Sequence, residues 1–121
     1  MAMSPPVYAI LSGDAAVTAL VPAARIKGQS YAGESPIAPY ITWQIISGGP
    51  ENYLADRPGM DVFRVQIDIW AVSAASAKAI AALVRDALEP HAYCLNIFAD
   101  DYEPDTKLYR YGYDWNFHTL R

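Results

Sequence analysis

The stretch Asp61-Val62-Phe63-Arg64-Val65-Gln66-Ile67-Asp68-Ile69-Trp70-Ala71 is followed almost at once by Ser73-Ala74-Ala75-Ser76-Ala77-Lys78-Ala79-Ile80-Ala81-Ala82-Leu83-Val84-Arg85-Asp86-Ala87-Leu88. In the first segment Phe63, Val65, Ile67 and Ile69 alternate with Arg64, Gln66 and Asp68, with Val62 and Trp70 at the two ends. That period of two is the signature of a strand with one buried face. In the second segment Ala77, Ile80, Leu83, Val84, Ala87 and Leu88 recur at helical spacing, and Lys78, Arg85 and Asp86 fall on the opposite, wet side. Ser73 is placed to cap the first free amides of that helix, and Glu89-Pro90 ends it. A strand and a helix with matching apolar faces, this close in the chain, predict that the strand is central and packs on the helix.

Toward the N-terminus, Tyr40 to Ser47 reads as a second strand. Ile41, Trp43 and Ile45 alternate with Tyr40, Thr42 and Gln44, and Gly48-Gly49-Pro50 is expected to stop it. Residues 51–60 carry Asn52, Asp56, Arg57, Pro58 and Gly59, which is turn chemistry, so they form a long connection between the two strands. Residues 23–39 are rich in loop formers, with a possible short strand near Arg25 to Lys27. Ser4-Pro5-Pro6 reads as a helix start in which Ser4 caps. Val7, Ile10 and Leu11 follow at helical spacing. Ser12-Gly13-Asp14 interrupts, and Asp14 can cap a further turn bearing Val17, Leu20 and Val21. One broken helix, or two short ones, therefore precedes Pro22.

Toward the C-terminus, His91 to Ala99 suggests a strand with Tyr93, Leu95 and Ile97 in phase. Asp100 to Asp105 reads as an acidic loop containing Pro104. Leu108 to His118 is the last strand, and Tyr109, Tyr111, Tyr113, Trp115 and Phe117 share one of its faces. The order helix, strands, helix, strands predicts a single α+β domain over residues 1–121, with a mainly antiparallel sheet and two helices packed on one face.

A chain of 121 residues, 53 % hydrophobic and 18 % charged, has material for one core and for one domain. Twenty alanines supply much of that material and suit helix packing. The net charge of −4, with scattered basic residues, gives no general attraction to nucleic acid or to anionic membrane. Cys94 is the sole cysteine, so disulfides play no part in the fold, which suits synthesis in a reducing cytoplasm. Met1 to Pro6 does not read as a signal peptide, and no apolar run approaches the roughly 20 residues of a membrane span.

Candidate chemistry is sparse. His91 and Cys94 could form an activated thiolate, but three residues apart on a strand they point to opposite faces and have no third partner, so Cys94 reads as a buried inert thiol. Asp100, Asp101, Glu103 and Asp105 are rich in oxygen, yet they lack the spacing and the glycine of a calcium loop. Ser47-Gly48-Gly49 follows a strand, but Pro50-Glu51 comes next in place of the helix and lysine that a phosphate cradle needs. No nucleophile, metal set or cofactor motif emerges, and no catalytic, metal-binding or cofactor-binding residue is assigned. The features that point outward are of another kind. Tyr109, Tyr111 and Tyr113 bring hydroxyls that need partners, so their stripe is either core or a face shared with a neighbouring subunit. The 51–60 connection carries Tyr53, Leu54, Asp56, Arg57 and Met60, and it exceeds what a hairpin requires, which marks it as a contact loop.

Four segments together carry a resemblance. They are LVPAARI (residues 20–26), PYITWQIISGG (39–49), FRVQIDIWA (63–71) and SAASAKAIAALVRDAL (73–88). The arrangement resembles the tail completion, or tail terminator, proteins of siphophages and prophages, over roughly residues 7–90. The shared motifs are Pro39-Tyr40, Ser47-Gly48-Gly49 and Gln66-Ile67-Asp68-Ile69-Trp70. All three are fold motifs, and none brings a catalytic residue. The resemblance implies a ring of six subunits at the head-tail junction of a virion, made in the host cytoplasm, between the tail tube protein and the head-tail connector protein; the acidic charge of the chain would let DNA pass through such a ring without specific binding. The other reading is a small ligand-binding or enzymatic domain with a pocket between sheet and helix.

Overall fold

The computed structural model describes residues 4–28, 33, 36–50 and 60–120, with residues 49, 50, 60, 119 and 120 described by backbone alone. The elements in chain order are α1 (Val7–Ser12), α2 (Ala15–Leu20), a single 3-10 turn (Ala23–Arg25), β1 (Ile26–Lys27), β2 (Tyr40–Pro50), β3 (Met60–Ala71), α3 (Ala74–Leu88), β4 (Ala92–Glu103) and β5 (Leu108–Leu120). The strands form one sheet of order β1-β2-β3-β5-β4. Only the short β1–β2 pairing is parallel. The class is α+β, as the order of elements predicts.

β3 is the middle strand, and its alternating pattern is what buries it. Val65, Ile67, Ile69 and Ala71 are fully buried and Phe63 nearly so. The same face receives Ala77, Ile80, Val84, Ala87 and Leu88 of α3, together with Ala81. Ser73 Oγ accepts a hydrogen bond from the Ser76 amide (3.1 Å), which starts α3 as expected. α1 and α2 add Val7, Leu11 and Val17 to the same core. Asp14 Oδ1 accepts from the Ala16 and Val17 amides at 3.0 and 3.1 Å, so the break at Gly13-Asp14 yields two separate helices.

Several boundaries differ from the sequence reading, each for a local reason. Ser4 caps nothing: α1 begins after Pro6, and the Val7 amide is already held by the Pro5 carbonyl (2.9 Å). β2 does not stop at Gly48 but continues to Pro50. The Phe63 ring lies across Gly48, where a Cβ would stand 2.6 Å from it, so the glycine gives that ring its seat inside the strand. The acidic segment from Asp100 to Glu103 is strand, not loop, because β5 pairs with it through Asp101–Arg110 and Glu103–Leu108. The turn is confined to Pro104–Lys107, where Lys107 takes a left-handed φ of 60° and its amide bonds the Glu103 carbonyl (2.8 Å). β5 extends beyond His118 to Leu120, opposite Met60.

Candidate assembly surfaces

The aromatic stripe of β5 divides along its length. Tyr113, Trp115 and Phe117 lie in the core, each at most 1 % exposed, while Tyr109 and Tyr111 are half-buried at one end. The rings meet edge to face, with Tyr111–Tyr113 at 5.3 Å and Tyr113–Trp115 at 5.5 Å between centroids. The Tyr113 hydroxyl donates to the Ala81 carbonyl of α3 at 2.9 Å. Burial, which disfavours the phenolate, pushes its pKa well above the usual value. Tyr113 therefore spends its hydroxyl inside its own chain and offers a neighbour no surface. Tyr109 and Tyr111 keep an accessible rim, and Tyr102 packs on Tyr109 at 5.2 Å. Tyr53, Leu54, Asp56 and Arg57 lie outside the described residues. So does the side chain of Met60, whose backbone opens β3.

The sheet face away from the helices is not the simple wet surface that Arg64, Gln66 and Asp68 suggest. Asp68 is 3 % exposed and Asp114 6 %. Arg110 Nε holds Asp68 Oδ1 at 2.7 Å, and Gln66 Nε2 donates to Asp68 Oδ2 at 2.9 Å. Arg64 pairs with Asp114 at 2.8 Å. The Arg110 guanidinium lies between the Trp70 and Phe98 rings, 5.3 and 5.1 Å from their centroids. Trp70 Nε1 donates to Thr42 Oγ1 at 3.3 Å, and Tyr40 stacks on Trp70. Long side chains thus lie flat over two buried carboxylates, and that covering is why the face carries so little free charge.

Enzymatic readings find little support in this geometry. Cys94 packs toward the core beside Trp115, and burial raises its thiol pKa, so it is a poor nucleophile at neutral pH. His91 lies in the turn before β4. Asp100 and Asp101 lie on an extended strand and point to opposite faces, with Glu103 on the same side as Asp101. Among the described residues, no group of three or more His, Cys, Asp and Glu could hold a metal ion. A cleft of about 300 Å³ does open between α3 and the β4–β5 hairpin, where Lys78 pairs with Asp100 at 3.4 Å. Its other lining residues are Ala81, Ala82, Arg85, Tyr111 and Tyr113, which supply no nucleophile with a base beside it.

The exposed apolar surface gathers instead on β4, the outermost strand. Tyr93, Leu95, Ile97, Phe98 and Tyr102 are 40–66 % exposed. The alternation of Tyr93, Leu95 and Ile97 reads equally as a strand with a buried face, so the sequence alone does not reveal that, among the described residues, this strand is paired on one side only.

A model of the family described as tail completion protein gp17 matches residues 5–117. The chain belongs to the tail completion protein gp17 family. As a tail completion protein it is a structural component of a virion tail. A chain of the solved structure "Virion of native gene transfer agent (GTA) particle" is similar in fold, with a TM-score of 0.67 and 22 % identity. The match covers 95 % of this chain and 92 % of that one. No curated protein is significantly similar in sequence. Among the described residues of this tail completion protein, no helix is long and apolar enough to cross a membrane.

Proposed function

We propose that the protein assembles as a ring of six identical copies that caps the tail tube, halts its growth and joins it to the head-tail connector. The observation that carries this reading is the family match, which spans nearly the whole described chain. The mechanism is geometric. Head-to-tail contacts between identical subunits close into a ring when the rotation between copies closes. One rim of the ring meets the last turn of the tube, and the other accepts the connector. The bore passes DNA without holding it, and a net charge of −4 per chain is consistent with release. The 51–60 connection, with Tyr53, Leu54, Asp56, Arg57 and Met60, joins the two longest-paired N-terminal strands and supplies a contact to the next copy or to the tube. The accessible rims of Tyr109 and Tyr111 add to the subunit surface.

Electron microscopy of the purified protein and of particles lacking it tests the reading. Six-fold rings, and tails of uncontrolled length without heads in the deletion, are expected. Tails of normal length that attach to heads without this chain would overturn it. Shortening the connection by removing residues 53–57 is expected to leave the fold intact while weakening ring closure or tube attachment.

A further inference from the structure

Among the described residues the sheet has two open edges. On one side β4 has no described neighbour along its outer length, where it carries the large apolar side chains already described. On the other side β1 covers only Ile41 and Thr42 of β2, so the backbone from Trp43 onward has no described neighbour. Open edges with exposed apolar residues are templates for pairing, and monomeric proteins usually cover or charge them. Ile45 and Ile46 on the β2 side are 38 % and 47 % exposed.

We propose that the sheet continues from copy to copy: the β4 edge of one subunit pairs antiparallel with the open β2 edge of the next. This rests on the ring reading and names the contact that builds the ring. Strand polarity permits it. β3 runs against β2, β5 against β3 and β4 against β5, so a neighbour placed in the same orientation sets β4 antiparallel to β2. The register across the sheet gives the heights. One row runs Trp43–Ile67–Tyr113–Ile97 and another Ile45–Val65–Trp115–Cys94. A closed ring has no rise between copies, so the open part of β2 stands level with the upper, apolar half of β4. Each edge also bulges next to the Trp115 row, at Ile46 in β2 and at Leu95 in β4, so the two edges bend at the same height.

Charge agrees with this seating. The row that begins at Lys27 runs through Thr42, Asp68 and Gly112 to Ala99. Lys27 and nearby Arg25 on one edge therefore stand level with Asp100 and Asp101 on the other. Among the described residues, neither Lys27, Arg25 nor Asp101 has an ion pair within its own chain. With strands about 4.8 Å apart and four or five per copy, six joined sheets close at a diameter of about 35–45 Å. That width admits a DNA duplex when the helix-free face lines the bore.

Cross-linking decides the matter. Ser47 and Tyr93 stand on one row, Ser47–Arg64–Asn116–Tyr93, at its two ends. Within a chain they are three strand spacings apart, about 14 Å, too far for a disulfide, which needs Cα atoms within about 7 Å. Across the proposed contact they are direct neighbours. In a Cys94→Ser background, oxidation of the S47C/Y93C double variant is expected to give a ladder of covalent oligomers ending at the ring. Neither single variant should cross-link. Asp101→Lys should weaken assembly by about three- to tenfold and Lys27→Glu should restore it, with unchanged circular dichroism reporting an intact fold. Dimers from Tyr93→Cys alone would show a two-fold β4–β4 contact and overturn the proposal. Six-fold rings that form without any cross-link would overturn it while the ring reading stands. A wild-type chain that stays monomeric up to about millimolar concentration would also overturn the edge pairing, whereas the ring reading is judged separately, on particles.

Discussion

Replacing Arg110 with Met should unfold this protein far more readily than the position of the residue on a solvent-side face suggests. The Asp68 carboxylate has a side chain only 4 % exposed, and its ionic partner is Arg110 at 2.7 Å. Without Arg110 it keeps the neutral Gln66 amide, at 2.9 Å, and little water. Breaking a buried ion pair on one side costs about 3–5 kcal/mol, chiefly because a charge is left stranded. The guanidinium also loses its contacts with the Trp70 and Phe98 rings, worth about 0.5–1 kcal/mol each. Against this, the Arg110 side chain is 25 % exposed, so water reaches the vacated site and the lower end applies. The expected loss is about 3 kcal/mol, a large part of the roughly 5–15 kcal/mol that holds a domain folded. The melting temperature should fall by about 10 °C or more. Urea unfolding followed by tryptophan fluorescence, at a concentration below assembly, measures it. Adding Asp68→Asn to Arg110→Met removes the stranded charge and should recover about 2 kcal/mol. A single variant that loses less than about 1 kcal/mol, or a double variant no better than the single, refutes the argument.

Three further outcomes follow from the core. Ile67→Ala on the central strand should cost about 2–5 kcal/mol in the same unfolding assay, and a loss below about half a kilocalorie would mean the site is not packed as described. Gly112→Ala should cost about 1–3 kcal/mol, because its Cβ would stand 2.6 Å from both Asp68 Oδ1 and the Phe98 ring; wild-type stability would show that both neighbours yield. Tyr113→Phe should cost about 1 kcal/mol at neutral pH through loss of the bond to Ala81. The raised phenol pKa of Tyr113 also makes its contribution complete below the ordinary value of 10.0 and lost as pH climbs past it toward the folded value. Tyr113→Phe should therefore flatten the alkaline loss of stability, and identical alkaline midpoints for both proteins would count against that role.

The parts of the fold carried by local periodicity are legible in the sequence. The 61–71 and 108–118 segments alternate with period two, 74–88 repeats at helical spacing, and each is the element it reads as. The rest depended on contacts that no local pattern encodes. That β5 inserts between β3 and β4 is a long-range pairing, and it turns Tyr93, Leu95 and Ile97 from an apparent core stripe into an exposed edge. The same pairing draws Asp100 to Glu103 into a strand, since an edge strand tolerates charge. Asp68 and Asp114 alternate with apolar residues and so read as wet; they are buried because arginines from the neighbouring strand lie across them. Of the candidate contact residues, Tyr113 shows how a stripe with one sequence signature can serve core at one end and surface at the other.

The sheet order makes the molecule two hairpins, β2–β3 and β4–β5, joined along β3 and β5. Each hairpin closes locally, but Ile67 and Tyr113, neighbours in space, lie far apart in the chain with α3 between them. Joining them carries the loop-closure cost that slows folding in topologies dominated by distant contacts. The β3–β5 seam is thus the natural place for the rate-limiting step. Substitutions at Val65, Ile67 or Trp115 should slow folding itself, while those on the outer edges of β2 and β4 should chiefly hasten unfolding. Until the seam closes, each hairpin carries an additional unpaired edge beside the one it keeps in the finished fold. Newly made chains are then exposed to edge mispairing in that interval, and the pace of the seam sets how long each chain stays at risk before its fold is complete.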